Sequence, residues 1–430
     1  MNSKRSGRRR FLKGSAALAG LAVEGIWSPA GRGQTLDSGT SDTGSQDPHA
    51  YGQRSRFETS TRVGALGVYE PGPNGPTRRD LGFRTPLQDS IGIITPAPLH
   101  FILSHGYETV DVDPRQHRLL IHGMVDRPLM LTVEELKRLP SVSRIHFLEC
   151  NANGDPARAV RRASAATVQQ THGLTSCSIW TGVMLSVLLR ETGVHKGASW
   201  LIAEGAEQDF HTKSIPLAKA MDDVLVAWGQ NGEPLRPEQG YPIRLIVPGW
   251  EGINSVKFLR RIKLVHQTYM GMRESTKYSS LRLDGKGRWF QFEMGPKSVI
   301  TRPSGRQRLP SRGFYEITGL AWSGGGAIRR VEVSTDGGRT WKNAQLDEPV
   351  HPKAHTRFGF PWNWNGEEAV LLSRCTDERG EVQPTLAELA EFWRVNADYF
   401  RSIAMIVGHF NAIQPWKVTR DGSVENALFA

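Results

Sequence analysis

Cysteine is scarce, with three residues in 430. Three thiols exclude a disulfide framework and a four-cysteine zinc site. No Cys-x-x-Cys-His occurs, so no c-type haem is attached to this chain. No His-Glu-x-x-His pairs any of the 13 histidines for zinc. No Gly-x-Ser-x-Gly marks a hydrolase elbow. Gly324-Gly325-Gly326 lacks the Lys-Ser/Thr of a phosphate loop and reads as a turn. Internal repeats of 20–50 residues are also missing.

What is present is a globular composition, 38% hydrophobic and 23% charged, with Gly 45 and Pro 25. It excludes a collagen, a coiled coil, a polytopic membrane protein and a wholly disordered chain. The length predicts more than one domain. The net charge of +11 points at first to an acidic partner such as nucleic acid. Its distribution changes that. Residues 1–30 hold six of the Lys and Arg and one acid, a net +5, which leaves +6 on the rest. Basic residues up to Lys13, a mildly apolar run from Gly14 to Val23 and the small residues at Ser28-Pro29-Ala30 have the shape of an export signal. Gly7-Arg8-Arg9-Arg10-Phe11-Leu12-Lys13 resembles the twin-arginine consensus, a route that carries folded, cofactor-loaded proteins. The expectation is a periplasmic protein with no membrane span and no nucleic-acid partner.

A polar leader is expected over residues 31–85, from its Gly, Ser and Thr content. Between 86 and 283, strands alternate with a few helices, an α+β pattern. Thr132–Leu139 reads as a short helix with a Thr132/Glu135 capping box. Ser143–Cys150 reads as a strand ending in a loop, and Val183–Leu189 as a helix. From 284 to 420 the pattern becomes short strands separated by turns, with little helix. This predicts an all-β sandwich, followed by a tail over 421–430. The boundary is expected near the turn Asp284-Gly285-Lys286-Gly287.

Cys177 and Cys375 read as small buried hydrophobes. Cys150 ends a strand and enters Asn151-Ala152-Asn153-Gly154-Asp155. The residue pattern leaves it open between a structural thiol and a metal-binding thiolate. His105 stays open between a loop hydrogen bond and ligand binding. Arg158, Arg161 and Arg162 form either a solvated face or an anion-attracting rim.

Ile145-His146-Phe147-Leu148-Glu149-Cys150-Asn151-Ala152-Asn153 resembles the cysteine loop of the sulfite oxidase family of molybdenum enzymes. Phe101-Ile102-Leu103-Ser104-His105 is similar to that family's first pterin-contacting motif. Gly240–Gly249 and then Ser255-Val256-Lys257 follow in order. The likeness runs from about residue 90 to 420. Within the family it is greatest to the molybdenum subunits of the sulfur dehydrogenases of the thiosulfate-oxidising (Sox) system. Ile94-Thr95-Pro96, the runs Leu235–Pro242 and Lys297–Gly305, and Asn411–Gln414 carry it.

The resemblance implies an α+β molybdopterin-binding domain followed by an immunoglobulin-like β-sandwich for dimerisation. It implies molybdenum with a single molybdopterin, Cys150 being the only protein ligand to the metal. Phe101, His105, Asn153, Arg244, Ser255, Val256 and Lys257 match positions around the pterin and its phosphate. Tyr278 and Trp180 match residues near the reacting pocket. The implied partners are a c-type cytochrome and a sulfur-carrier protein, with a homodimer inside a heterotetramer.

Three positions depart from the family. Leu103 stands where an arginine is usual, Asp155 where sulfite oxidases have another, and Gln239 where some members have histidine. Loss of two cations disfavours a small free dianion and favours sulfur presented on a carrier. The expected activity is oxidation of carrier-bound sulfane sulfur. The alternatives are a sulfite:cytochrome c oxidoreductase and a molybdopterin-binding scaffold with altered catalysis. A reductase of oxidised methionine is disfavoured by the β-rich second region.

Overall fold

The computed structural model describes residues 54–64, 71–72, 75–76, 82–104, 109–154, 163–207, 211–276, 278–281, 285–289, 291–396, 399–402 and 409–429. Thr59–Ala430 make one compact unit. The expected export signal, His105, Asp155, Arg158, Arg161 and Arg162 lie outside the described residues.

Within the expected leader, Gly82–Arg84 forms a strand, β1, which pairs with β2 (Ile102–Leu103). Next come β3 (Arg118–Gly123), β4 (Leu129–Thr132) and α1 (Val133–Lys137). They are followed by β5 (Val142–Glu149), α2 (Val168–His172), β6 (Thr175–Met184) and α3 (Leu185–Thr192). β7 (Trp200–Gly205), β8 (Thr212–Pro216) and α4 (Leu217–Asp222) lead to β9 (Leu225–Gln230) and β10 (Glu233–Pro234). β11 (Arg244–Ile246), β12 (Leu259–Val265) and α5 (Met272–Thr276) end the first half.

One sheet runs β8-β7-β12-β3-β4, and a second runs β10-β9-β6-β5 with β11 also on β9. The β12–β3 pair is parallel, and its neighbours are antiparallel. α1 and α3 pack with these sheets into a core of Leu119, Ile121, Leu136, Leu185, Leu189, Ile243, Leu245 and Ile262.

The Thr132/Glu135 capping box is present at α1, and Thr167/Gln170 repeats it at α2. Each cap satisfies orphan amides and contributes about 1 kcal/mol. The expected helix over Val183–Leu189 begins later. Val183 and Met184 finish β6 against Val226 and Leu225, so sheet pairing overrides their apolar run. Cys177 is likewise mid-strand in β6, buried opposite Phe147.

Across the expected boundary, short strands Ser279–Leu281 and Gly287–Trp289 pair as a hairpin. The second half then contains β13 (Lys297–Arg302), β14 (Gly313–Trp322), β15 (Ile328–Ser334), β16 (Lys342–Asn343) and β17 (Gln345–Leu346). After these come β18 (Thr356–Trp364), β19 (Ala369–Asp377), α6 (Leu386–Trp393), β20 (Trp416–Val418) and β21 (Val424–Asn426). They form sheets β13-β14-β18-β17 and β16-β15-β19-β20-β21. Residues of both, including Val299, Ile317, Leu320, Val331, Val333, Leu371 and Val418, meet in one core. This is a sandwich, as the short strands and turns predict.

The expectation of little helix here missed α6. Its signal was legible, because Thr385 and Glu388 form a third capping box. The sandwich core also takes in Phe147 of β5, Val168 of α2 and Cys177 of β6. The two halves therefore share apolar packing behind the end of β5, where Cys150 lies.

Candidate molybdenum-cofactor site

β5 delivers Cys150 at the point where the strand breaks into a turn. Cys150 N donates to Leu174 O at 2.9 Å, and Asn153 N to Cys150 O at 2.9 Å. Asn153 Nδ2 donates to Glu149 Oε1 at 2.9 Å, and Asn153 Oδ1 accepts from Leu174 N at 2.9 Å. The turn is thus held by its own first and last residues and by the start of β6. Gly252 packs directly on it, and a Cβ there would lie 2.8 Å from Glu149 O. Only glycine permits that approach.

The thiol faces a partly open pocket. Its apolar wall is Phe101, Leu103, Leu148, Ile253 and Val256. Its polar wall is His100, Glu207, His211, Gln239, Arg244, Ser255, Lys257 and Tyr278. Of the expected site residues, Cys150, Phe101, Arg244, Ser255, Val256, Lys257 and Tyr278 all converge here. Trp180 and Asn153 do not line the cavity. Trp180 lies beneath it with Nε1 donating to His146 O at 3.1 Å. Asn153 is fully buried and holds the turn. His105 lies outside the described residues.

Arg244, on β11, is buried yet has no carboxylate among its hydrogen-bond partners. Nη1 donates to Gln239 O at 3.0 Å and Nη2 to Ser255 O at 2.8 Å. Its guanidinium carbon stands 5.2 Å from the centre of the Trp180 ring. Nε has no partner. Burial pulls its pKa down to about 9. Lys257 Nζ donates to Leu103 O at 3.2 Å and Glu238 O at 2.9 Å. Loss of solvent pulls its pKa down to about 8, against an opposing pull from Glu207. Gln239, the departure from histidine, donates to Phe101 O at 3.0 Å and accepts from Arg244 at 3.3 Å. It therefore braces the cation and the apolar wall together.

His100 was not singled out in the sequence, where His105 drew attention instead. It is buried, stacks on Phe101 at 5.1 Å, and leaves Nε2 without a partner. Burial lowers its pKa to about 3, so the ring is neutral. Its place beside the Phe101 motif was the available signal. Tyr278 is buried, and desolvation, then the charge of Cys150, raises its hydroxyl pKa well above the usual value. It stays protonated and can donate a hydrogen bond. The Lys213 ammonium lies 4.8 Å from the centre of its ring.

Among the described residues, no three His, Cys, Asp or Glu side chains converge as a metal cage. Among the described residues Cys150 is thus a lone soft donor, which suits a metal that arrives with donors of its own on a bound cofactor. Arg244 Nε and His100 Nε2 are buried donor or acceptor atoms without partners at that wall. Two desolvated cations there suit an anionic pterin phosphate. The residues therefore fit a molybdenum pterin.

Residues 105–273 match the family model of the oxidoreductase molybdopterin-binding domain, and residues 288–405 that of the Mo-co oxidoreductase dimerisation domain. The chain is 34% identical over 338 residues to NADH nitrate reductases of Brassica napus and Arabidopsis thaliana, over 68% of its own length. It spans 36% of the length of those curated relatives. Among solved structures, it is similar to a chain of the sulfane dehydrogenase SoxCD from Paracoccus pantotrophus. That match has TM-score 0.78 and 39% identity, and covers 89% of this chain and 94% of that one. With a thiol lining the pocket and both family domains in order, the chain belongs to the sulfite oxidase family of molybdopterin oxidoreductases and is SoxC-like.

Proposed function

We propose that the chain is the molybdenum subunit of a periplasmic sulfur dehydrogenase. It oxidises sulfane sulfur held on a carrier protein and passes electrons to a c-type cytochrome. The carrying observation is the cavity itself, which joins one thiol, two desolvated cations and an apolar wall. The likeness to a sulfane dehydrogenase supports the substrate class.

When bound, the molybdenum cofactor supplies two-electron oxygen-atom transfer at sulfur. Cys150 is the residue that holds the metal. Phe101, Arg244, Ser255, Val256, Lys257 and the expected His105 hold the pterin and its phosphate. Tyr278 donates its hydroxyl hydrogen toward the reacting group. Trp180 supports Arg244 from below, and Asn153 fixes the turn that presents the thiol. With Arg244 and Lys257 engaged by the phosphate, the apolar wall is left to face the substrate. Leu103 there offers no charge to a free dianion, which favours sulfur delivered on a carrier.

The twin-arginine pattern of residues 1–30 supports export to the periplasm. The proposed domains are residues 86–283 for the cofactor and 284–420 for dimerisation, the latter extended into the expected tail by β21, which pairs with β20. The dimerisation family model supports a homodimer, placed here inside a heterotetramer with the cytochrome.

The test is molybdenum and pterin analysis of the exported protein beside Cys150→Ser, with cytochrome c reduction assayed on carrier-bound sulfane and on free sulfite. The expected result is one molybdenum per chain, lost in the variant, and turnover much faster with the carrier than with free sulfite. Metal retained by Cys150→Ser sinks the reading. Faster turnover of free sulfite makes the chain a sulfite:cytochrome c oxidoreductase. Bound metal without turnover of either makes it a catalytically altered scaffold.

A further inference from the structure

Successive side chains at the end of a strand point to opposite faces. Cys150 faces the cavity, and Glu149 is driven the other way, into the shared core of the two halves. A carboxylate there is costly unless every oxygen is paired. Both oxygens are paired from the second half. Lys297 Nζ donates to Oε1 at 2.5 Å and Trp322 Nε1 to Oε2 at 2.7 Å. Lys297 and Trp322 are direct cross-strand partners, at the start of β13 and the end of β14. One two-residue rung therefore grips one carboxylate. Lys297 also donates to Asn153 O at 3.2 Å, the far end of the Cys150 turn. All three side chains are fully buried.

We propose that Lys297 and Trp322 are positioning residues for Cys150: acting through Glu149 and Asn153, they set where the thiol sits in the cofactor cavity. The inference rests on the reading of Cys150 as the metal ligand. Neither residue lines the cavity, so neither touches substrate or cofactor. Their effect passes through the backbone of residues 149–153. The first residue of that turn is held by its side chain and the last by its carbonyl. The thiol lies between two points fixed from the second half, and a shift of the rung moves both.

The test uses the full-length protein in three forms: Trp322→Phe, Lys297→Met, and Lys297→Met with Glu149→Gln. The last removes the stranded carboxylate, so it separates a folding defect from a positioning defect. Readouts are thermal midpoint, molybdenum per chain, and the electron paramagnetic resonance signal of the half-reduced metal, which reports the geometry of the sulfur donor. Lys297→Met alone is expected to unfold at lower temperature. The double variant is expected to melt near the wild type, and Trp322→Phe, which leaves Glu149 Oε2 without its donor, below the wild type but still folded. They should nevertheless hold severalfold less molybdenum, with a broadened or split signal. Wild-type metal content and an unchanged signal in both folded variants overturn the proposal. Molybdenum retained by Cys150→Ser overturns the underlying reading, and the inference with it.

Discussion

Arg244 sits with its guanidinium carbon 5.2 Å from the centre of the Trp180 ring, and its Nε meets no acceptor. The ring attracts the cation without using a hydrogen bond, so a donor stays available to a ligand. Arg244→Met is expected to lower pterin content at least about tenfold, equivalent to ~1.4 kcal/mol. Trp180→Phe keeps an aromatic face and should lose only about two- to fivefold, in the range of ~0.5–1 kcal/mol for such contacts. Fluorescence of the released, oxidised pterin measures both. Full loading of Arg244→Met would mean that the phosphate binds elsewhere.

Leu103 lines the cavity, and its carbonyl accepts from Lys257. An arginine at this position would place a guanidinium beside the substrate. Leu103→Arg is expected to lower KM for free sulfite roughly tenfold, since a charged hydrogen bond contributes about 1.5–3 kcal/mol. Steady-state cytochrome c reduction reads this directly. An unchanged KM would show that the substrate approaches from another wall.

Glu251 is buried, and its Oε1 has no partner. Burial raises its pKa well above the usual value of 4.5, with Lys213 opposing. The folded chain therefore keeps this proton after the unfolded chain has released it. Stability is fully present below about pH 4.5 and declines as pH rises through the raised folded value. Glu251→Gln removes that decline. Its melting point should exceed that of the wild type by a few degrees at pH 8, with the gap closing toward pH 4.5. A variant less stable than wild type at pH 8 contradicts this account.

Four buried histidines act in the opposite sense. Burial lowers His100, His172 and His355 to about 3 and His409 to about 4. Below about pH 6.5 the unfolded chain takes up these protons and the folded chain does not. Stability present above pH 6.5 is therefore lost as pH falls toward 4. Between pH 4.5 and 6.5 this opposes the Glu251 effect, and four groups outweigh one. Thermal midpoints at pH 7.5, 6 and 5 should fall in that order. A flat profile would mean that these rings are protonated in the folded state.

Much of the site is legible in the chain because it is local. The Cys150 turn, Arg244, and the Ser255-Val256-Lys257 run each carry their chemistry within a few neighbouring residues. Capping boxes at Thr132, Thr167 and Thr385 are local too, and α6 was missed although its box was there to read. The alternation of buried and half-buried residues along β19 likewise declares a strand with one inward face.

Tertiary structure decided what depends on residues far apart in sequence. His100 lines the cavity, because Phe101 and Trp180 pack around it. Val183 became strand because β9 offered it a partner. Glu149 and Lys297 lie 148 positions apart, and no periodicity connects them. Side-chain type and short spacing are properties of the chain itself. The pairing of a buried carboxylate with a particular lysine exists only once two sheets have closed on one core, since burial alone makes that pairing necessary.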